Sequence, residues 1–234
     1  YSSSNPSGFA FFTIVKKFFL LNYPYFPIAG MILYLAMFTY TTTLYPGGSV
    51  NHPEMAGHSI FHNLLCDLNG TKAINGAINP ARPMSIASHI VLSITMILFF
   101  YTLPDIFQGQ NRNTKLVRIF GVLSMTVFIL MFTEYHDKIV VLVAILGTVA
   151  LVPFFIEVLK YPNVPFKRWA YLCYLMSVVV FVIFITKIGY YYLPFLQKVT
   201  FVLDGVWVIW VCLIVNEKNK IALRLEATTN SVMR

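Results

Sequence analysis

The chain has 234 residues, 58% hydrophobic and only 11% charged, with a formal net charge of +8. Soluble domains carry about a quarter charged residues, so a soluble globular enzyme is nearly excluded. Disorder is excluded by the same figures, because disordered chains are poor in apolar residues. The 21 Phe and 14 Tyr suit a lipid-facing protein with aromatic rings at its interfaces.

The chain opens on Tyr1, and the apolar run 18–21 is too short for the core of a cleavable signal peptide. Residues 1–23 read as an inner interfacial segment. Within 9–21, Phe11, Phe12, Val15, Phe18 and Phe19 accompany Lys16 and Lys17, a pattern that lies along a membrane surface, until Pro24 and Pro27 break it. A spanning helix needs roughly 20 mostly apolar residues. Six stretches qualify: 25–45, 84–103, 117–133, 139–159, 169–188 and 193–215. The expected fold class is all-α, a polytopic membrane protein with six transmembrane helices across 24–215 and a tail over 216–234. No alternation of apolar and polar residues at ten-residue spacing supports a lipid-exposed barrel.

Lys and Arg set the orientation. With both termini cytoplasmic, the inner segments hold Lys16, Lys17, Arg112, Lys115, Arg118, Lys160, Lys167, Arg168, Lys218, Lys220, Arg224 and Arg234. The outer segments hold five, Lys72, Arg82, Lys138, Lys187 and Lys198. These cations sit in short connections between apolar runs, so they read as topology signals and anionic-lipid contacts, and no nucleic acid is expected. The location is an integral membrane one, a bacterial inner membrane or its equivalent. Three cysteines, Cys66, Cys173 and Cys212, make no disulfide framework.

The outer connection 46–83 is long. Loops of that length are usually functional or disordered, and this one carries a helical apolar pattern. Over 54–68, Ile60, Phe61, Leu64, Leu65 and Leu68 share one face, with His58, His62 and Cys66 at i, i+4, i+8 on the far side. Two imidazoles and a thiolate on one face can bind zinc or copper, with His136 or His89 completing the site. The alternative is an interfacial helix with histidines in its wet face. Asn69-Gly70 ends the pattern, and Asn69-Gly70-Thr71 is a glycosylation sequon.

Ser85 and His89 are four apart, hence on one helix face. With Asp67, Glu134 or Asp137 nearby they could act as nucleophile, base and orienter. The alternative is a first turn with interhelical hydrogen bonds; no Gly-x-Ser-x-Gly elbow is present. Asp204 lies near the middle of the sixth span, where a carboxylate costs roughly 2.5–3.5 kcal/mol even on insertion scales. It is expected to face the bundle interior, either as a structural clasp to Ser93, Thr95, Ser124 or Thr126, or in a ligand or proton role. Glu157 and Lys160 read as an interfacial pair.

The run His62-Asn63-Leu64-Leu65-Cys66-Asp67-Leu68-Asn69-Gly70, then Asn79-Pro80 and a span opening at Met84, resembles the poorly characterised six-span bacterial membrane proteins related to the Frag/DRAM/Sfk group. Asn63, Asp67, Leu68, Gly70, Asn79 and Pro80 fit that family's first-loop motif. Cys66 stands where the family has Ser, and Asn69 intervenes before Gly70. The resemblance implies a membrane protein with no settled activity and eukaryotic relatives linked to lipid handling. Ser85-x-x-x-His89 is also faintly similar to the membrane hydrolases that include alkaline ceramidases, but their seventh span and late His-x-x-x-His are absent here.

Three functions follow. The first is binding or remodelling of membrane lipids in a pocket open to the outer leaflet, with Asp204 as floor and the loop 46–83 as lid. The second is a noncatalytic subunit with membrane-protein partners. The third is a metal-dependent membrane hydrolase or oxidoreductase using the outer histidines. A transporter would rest on Asp204 alone.

Overall fold

The computed structural model of the protein describes Phe18 and residues 21–232. The amphipathic stretch expected over 9–21 lies outside these residues, apart from Phe18 and Leu21. Six helices are long and apolar enough to cross a membrane. They are α1 Tyr25–Thr43, α2 Arg82–Thr102, α3 Arg112–Phe128, α4 His136–Lys160, α5 Val164–Thr186 and α6 Leu193–Val232. Short 3-10 turns follow α2 (Leu103–Ile106) and α3 (Ile129–Phe132) and precede α6 (Tyr190–Tyr192).

Polar caps set the starts of several helices. Asn111 Oδ1 accepts from the Thr114 backbone N–H at 2.9 Å, and Thr114 Oγ1 accepts from the Asn111 N–H at 2.9 Å. This reciprocal pair satisfies two of the free donors at the start of α3. Asn163 Oδ1 accepts from the Phe166 N–H at 2.9 Å and so starts α5, with proline in its first turn, where the missing donor costs nothing. α5 stops at Lys187, whose φ of 61° is left-handed. α6 runs unbroken for 40 residues, about 60 Å. That is twice the hydrocarbon thickness of roughly 30 Å, so the residues expected to form a tail continue the sixth helix.

The helices pack in a ring. α1 lies against α2, α2 against α3, α3 against α4, α5 against α6, and α6 against α1. The remaining neighbours, α4 and α5, do not pack backbone to backbone along their lengths. They are joined by aromatic rings, Phe155 stacked on Tyr171 at 5.1 Å and edge-on to Tyr174 at 5.0 Å. The closed joints depend on small residues, as in membrane bundles generally. A Cβ on Gly30 of α1 would stand 2.1 Å from Thr95 Oγ1 of α2, and one on Gly121 of α3 would stand 2.2 Å from Phe100 Cδ1.

One end of the bundle carries the long loop, the other most of the described basic residues. At the basic end, Asp105 receives Arg118 at 2.7 Å and the Tyr23 hydroxyl at 2.8 Å. Lys218 of α6 donates to the carbonyls of Asp105, Ile106 and Phe107 at 2.9, 3.0 and 3.0 Å. A cation there answers the negative end of the second helix. Glu157 pairs with Lys160 at 2.9 Å and accepts from Asn113 at 2.6 Å. Above this end, Trp207 sits among Phe99, Phe154 and Phe166, with ring centroids 5.5, 5.5 and 5.9 Å away. These aromatics plug the ring.

The long loop is ordered, but the helix expected over 54–68 is not formed. Its described backbone holds one 3-10 turn, Leu65–Asn69, and two isolated bridges, Gly47–Ala56 and Lys72–Ile78. Two features override the helical pattern. Gly57 takes a φ of 68°, which breaks a right-handed run. Asn63 Oδ1 accepts from the Ser59 N–H at 2.9 Å, giving the backbone a competing partner.

Candidate functional site: a cavity beneath the loop

Asn63, Asp67, Gly70 and Asn79 form the frame of the loop. Asn63 is fully buried and donates through Nδ2 to Gly48 O at 2.7 Å and to Asp67 Oδ2 at 2.9 Å. Asp67 Oδ2 also accepts the Leu64 N–H at 2.9 Å. Asn79 donates to Leu68 O at 3.0 Å and Gly70 O at 2.9 Å, and accepts from the Ala81 N–H at 3.1 Å. α6 clamps the frame from the side, because Lys198 donates to Asn63 O and Gln197 accepts the Leu65 N–H at 2.9 Å. Gly70 sits so close to Lys72 O that a Cβ would stand 2.7 Å away.

Under this frame lies a cavity of about 510 Å³, within the size range of small-molecule sites. Leu64, Leu65, Cys66 and Asn69 roof it, and all six helices contribute to its walls. Ser85, Ser88, His89 and Leu92 of α2 face Val143, Ala144, Gly147 and Thr148 of α4 across it. Ser177, Val178 and Phe181 of α5 and Gln197, Thr200, Phe201 and Asp204 of α6 complete the lining. Trp207, three residues beyond Asp204, belongs to the aromatic plug.

Several sequence-derived candidates thus meet in one space: Cys66, Ser85, His89, His136 and Asp204 all line the cavity. His58 and His62 do not join them. The His58 ring lies edge-on to Phe38 and Tyr45, each at 6.1 Å, whereas His62 stands 4.4 Å from His52 and 6.0 Å from Tyr191. The helix that would have put them on one face is absent. Among the described residues, no three His, Cys, Asp or Glu side chains converge to hold a metal ion. The chemistry agrees. Burial pushes the Cys66 thiol up to about 12, with the Asp67 charge adding to it, so the thiolate ligand is disfavoured. The expected zinc or copper group of His58, His62, Cys66 and His136 is therefore corrected to separate side chains.

Ser85, His89 and Asp67 are near one another but not linked. The Ser85 hydroxyl donates to Asn69 Oδ1 at 2.7 Å, and His89 Nε2 lies 2.8 Å from Phe128 O. Asp67 is held by Asn63 and Leu64, and burial raises its pKa against those bonds. His136 pairs with Asp137 at 2.9 Å. The bond from Ser85 also turns the Asn69 side chain inward, away from the presentation a glycosylation sequon requires.

The hydroxyls expected to clasp Asp204 serve backbone carbonyls. Ser93, Thr95 and Thr126 donate to His89, Val91 and Val122 O at 2.9, 2.7 and 2.8 Å, and Ser124 bridges to Val143 O of α4 at 3.0 Å. The Cys173 side chain of α5 lies within electrostatic reach of Asp204. Sequence reasoning missed Cys173, Gly147 and the α4–α5 joint. A cysteine in an apolar run reads as a small hydrophobe, and no spacing flags the joint.

Comparison of the chain with protein-family models, with curated proteins and with solved structures gives no match.

Proposed function

We propose that the protein binds a membrane lipid in the cavity beneath its loop, with the loop end facing the outer leaflet and both termini cytoplasmic. The observation that carries this reading is a mostly apolar cavity beside the α4–α5 joint, where the two helices meet through side chains and not backbone to backbone. A ring of helices closed at its other joints and plugged by aromatics at the basic end leaves a lateral route, and what lies outside that route is lipid. Polar side chains line the cavity both at its loop end, with Asn69, Ser85, His89 and His136, and farther in, with Asp204, while Val143, Ala144, Val178 and Phe181 would face acyl chain. Binding is favoured over hydrolysis because Ser85, His89 and Asp67 are held by separate partners.

A phosphatidylcholine with a photoreactive group on its acyl chain tests this. In vesicles, adducts should concentrate on α4 and α5 residues of the cavity. Gly147→Trp should reduce them several-fold, since a Cβ there has room, with Ser124 Oγ its nearest neighbour at 3.7 Å, and the indole would project into the cavity. Adducts spread evenly over the outer faces of all helices, unchanged by Gly147→Trp, would overturn the proposal.

A further inference from the structure

Among the described residues lining the cavity, Asp204 is the sole carboxylate, and no Lys or Arg joins it. It stands eleven residues into α6, about 16 Å from the helix start, where the hydrocarbon centre lies and a charge is costly unless answered. The Cys173 thiol lies within electrostatic reach of it and is a weak donor at best, whereas an ionised carboxylate can accept about four hydrogen bonds. The two imidazoles of the cavity are engaged elsewhere, His89 with Phe128 O and His136 with Asp137.

The walls around the carboxylate are aromatic. Phe201 is one turn before Asp204 on the same face of α6, and Tyr34 packs against Phe201 at 5.2 Å. Tyr174 follows Cys173 on α5, and all three rings line the cavity. Ring faces attract cations, the more so when desolvated. A carboxylate among aromatic rings, with no competing cation, is the chemistry that receives an ammonium group and rejects an anion.

We infer that Asp204 is the counter-charge for a protonated amine, so that the ligand class is a long-chain amine whose tail leaves through the α4–α5 joint. The inference rests on the lipid-cavity reading and names its ligand. The ammonium donates to the Asp204 oxygens, Tyr34 and Phe201 flank it, and the aromatic plug stops it from passing further.

Native mass spectrometry of the purified protein in mild detergent tests this with three probes of equal chain length: dodecylamine, dodecanol and dodecanoate. Dodecylamine should bind at least roughly tenfold more tightly than dodecanol, the least expected of a charge-assisted hydrogen bond, and dodecanoate should bind most weakly. Asp204→Asn keeps the shape and should bring amine and alcohol level. Equal binding of amine and alcohol by the wild type, or an amine preference that survives Asp204→Asn, overturns the inference while leaving the cavity reading intact. Binding of none of the three overturns both. If Asp204→Asn does not fold, Phe201→Leu decides: it should weaken the amine more than the alcohol, and an equal loss for both overturns the inference.

Discussion

Replacing Asn63 with alanine removes three hydrogen bonds from a fully buried site: the bond from the Ser59 N–H at 2.9 Å, and those to Gly48 O at 2.7 Å and Asp67 Oδ2 at 2.9 Å. Two are neutral, worth about 1 kcal/mol each, and the one to the carboxylate about 1.5–3 kcal/mol. Gly48 O keeps the Tyr45 hydroxyl at 3.3 Å, and Asp67 keeps the Leu64 N–H, so part of the loss is recovered. A net cost of about 3 kcal/mol is expected, concentrated in the loop because the helices do not depend on Asn63. The readout is limited proteolysis in detergent, with cuts appearing between residues 50 and 62 at least tenfold faster than in the wild type. Asn63→Asp should be no better, since it keeps the acceptor for Ser59 but places a second carboxylate against Asp67. A loop as resistant as the wild type in Asn63→Ala would refute the reasoning.

Gly30→Val should separate α1 from α2, because even a Cβ meets Thr95 Oγ1 at 2.1 Å. Overpacking of this kind costs about 1–3 kcal/mol and should lower the melting temperature, whereas Gly147→Ala should leave it unchanged; equal effects of the two would count against the ring packing. Acidification should loosen the loop. Burial holds His58 at about 4, below the ordinary histidine value of about 6.5, so the unfolded loop takes up a proton that the folded one refuses. Stability is therefore complete above about pH 6.5 and falls as the pH drops towards 4, by about 1.5 kcal/mol once the shift is halved for solvent screening. His58→Phe should flatten that pH dependence of proteolysis, and an unchanged slope would show that another group titrates.

The spans were legible because a bilayer needs about 20 apolar residues and nothing else in the chain supplies them. Their starts were less so. α3 begins at Arg112 and α5 at Val164, five residues before their apolar windows, because Asn111 and Asn163 cap polar first turns that hydropathy overlooks. The loop helix was misread where side chains and one left-handed glycine outcompeted periodicity. Asp204 was legible as a costly charge, but its surroundings were not, since Ser93, Thr95 and Thr126 turn back to their own helices. The loosely packed joint between α4 and α5 leaves no signal, because a residue that faces lipid and one that faces another helix are equally apolar.

The length of α6 has a mechanical consequence. Lys218, held by three carbonyls, stands 25 residues from Leu193 and 14 from Val232, arms of about 38 and 21 Å. An unbroken helix pinned at that point pivots like a see-saw. A displacement of about 2 Å at the loop end, where Gln197 and Lys198 hold the lid, becomes about 1 Å in the opposite direction at the far tip. Any tilt of the helix about Lys218 would thus move the loop end and the projecting tip together.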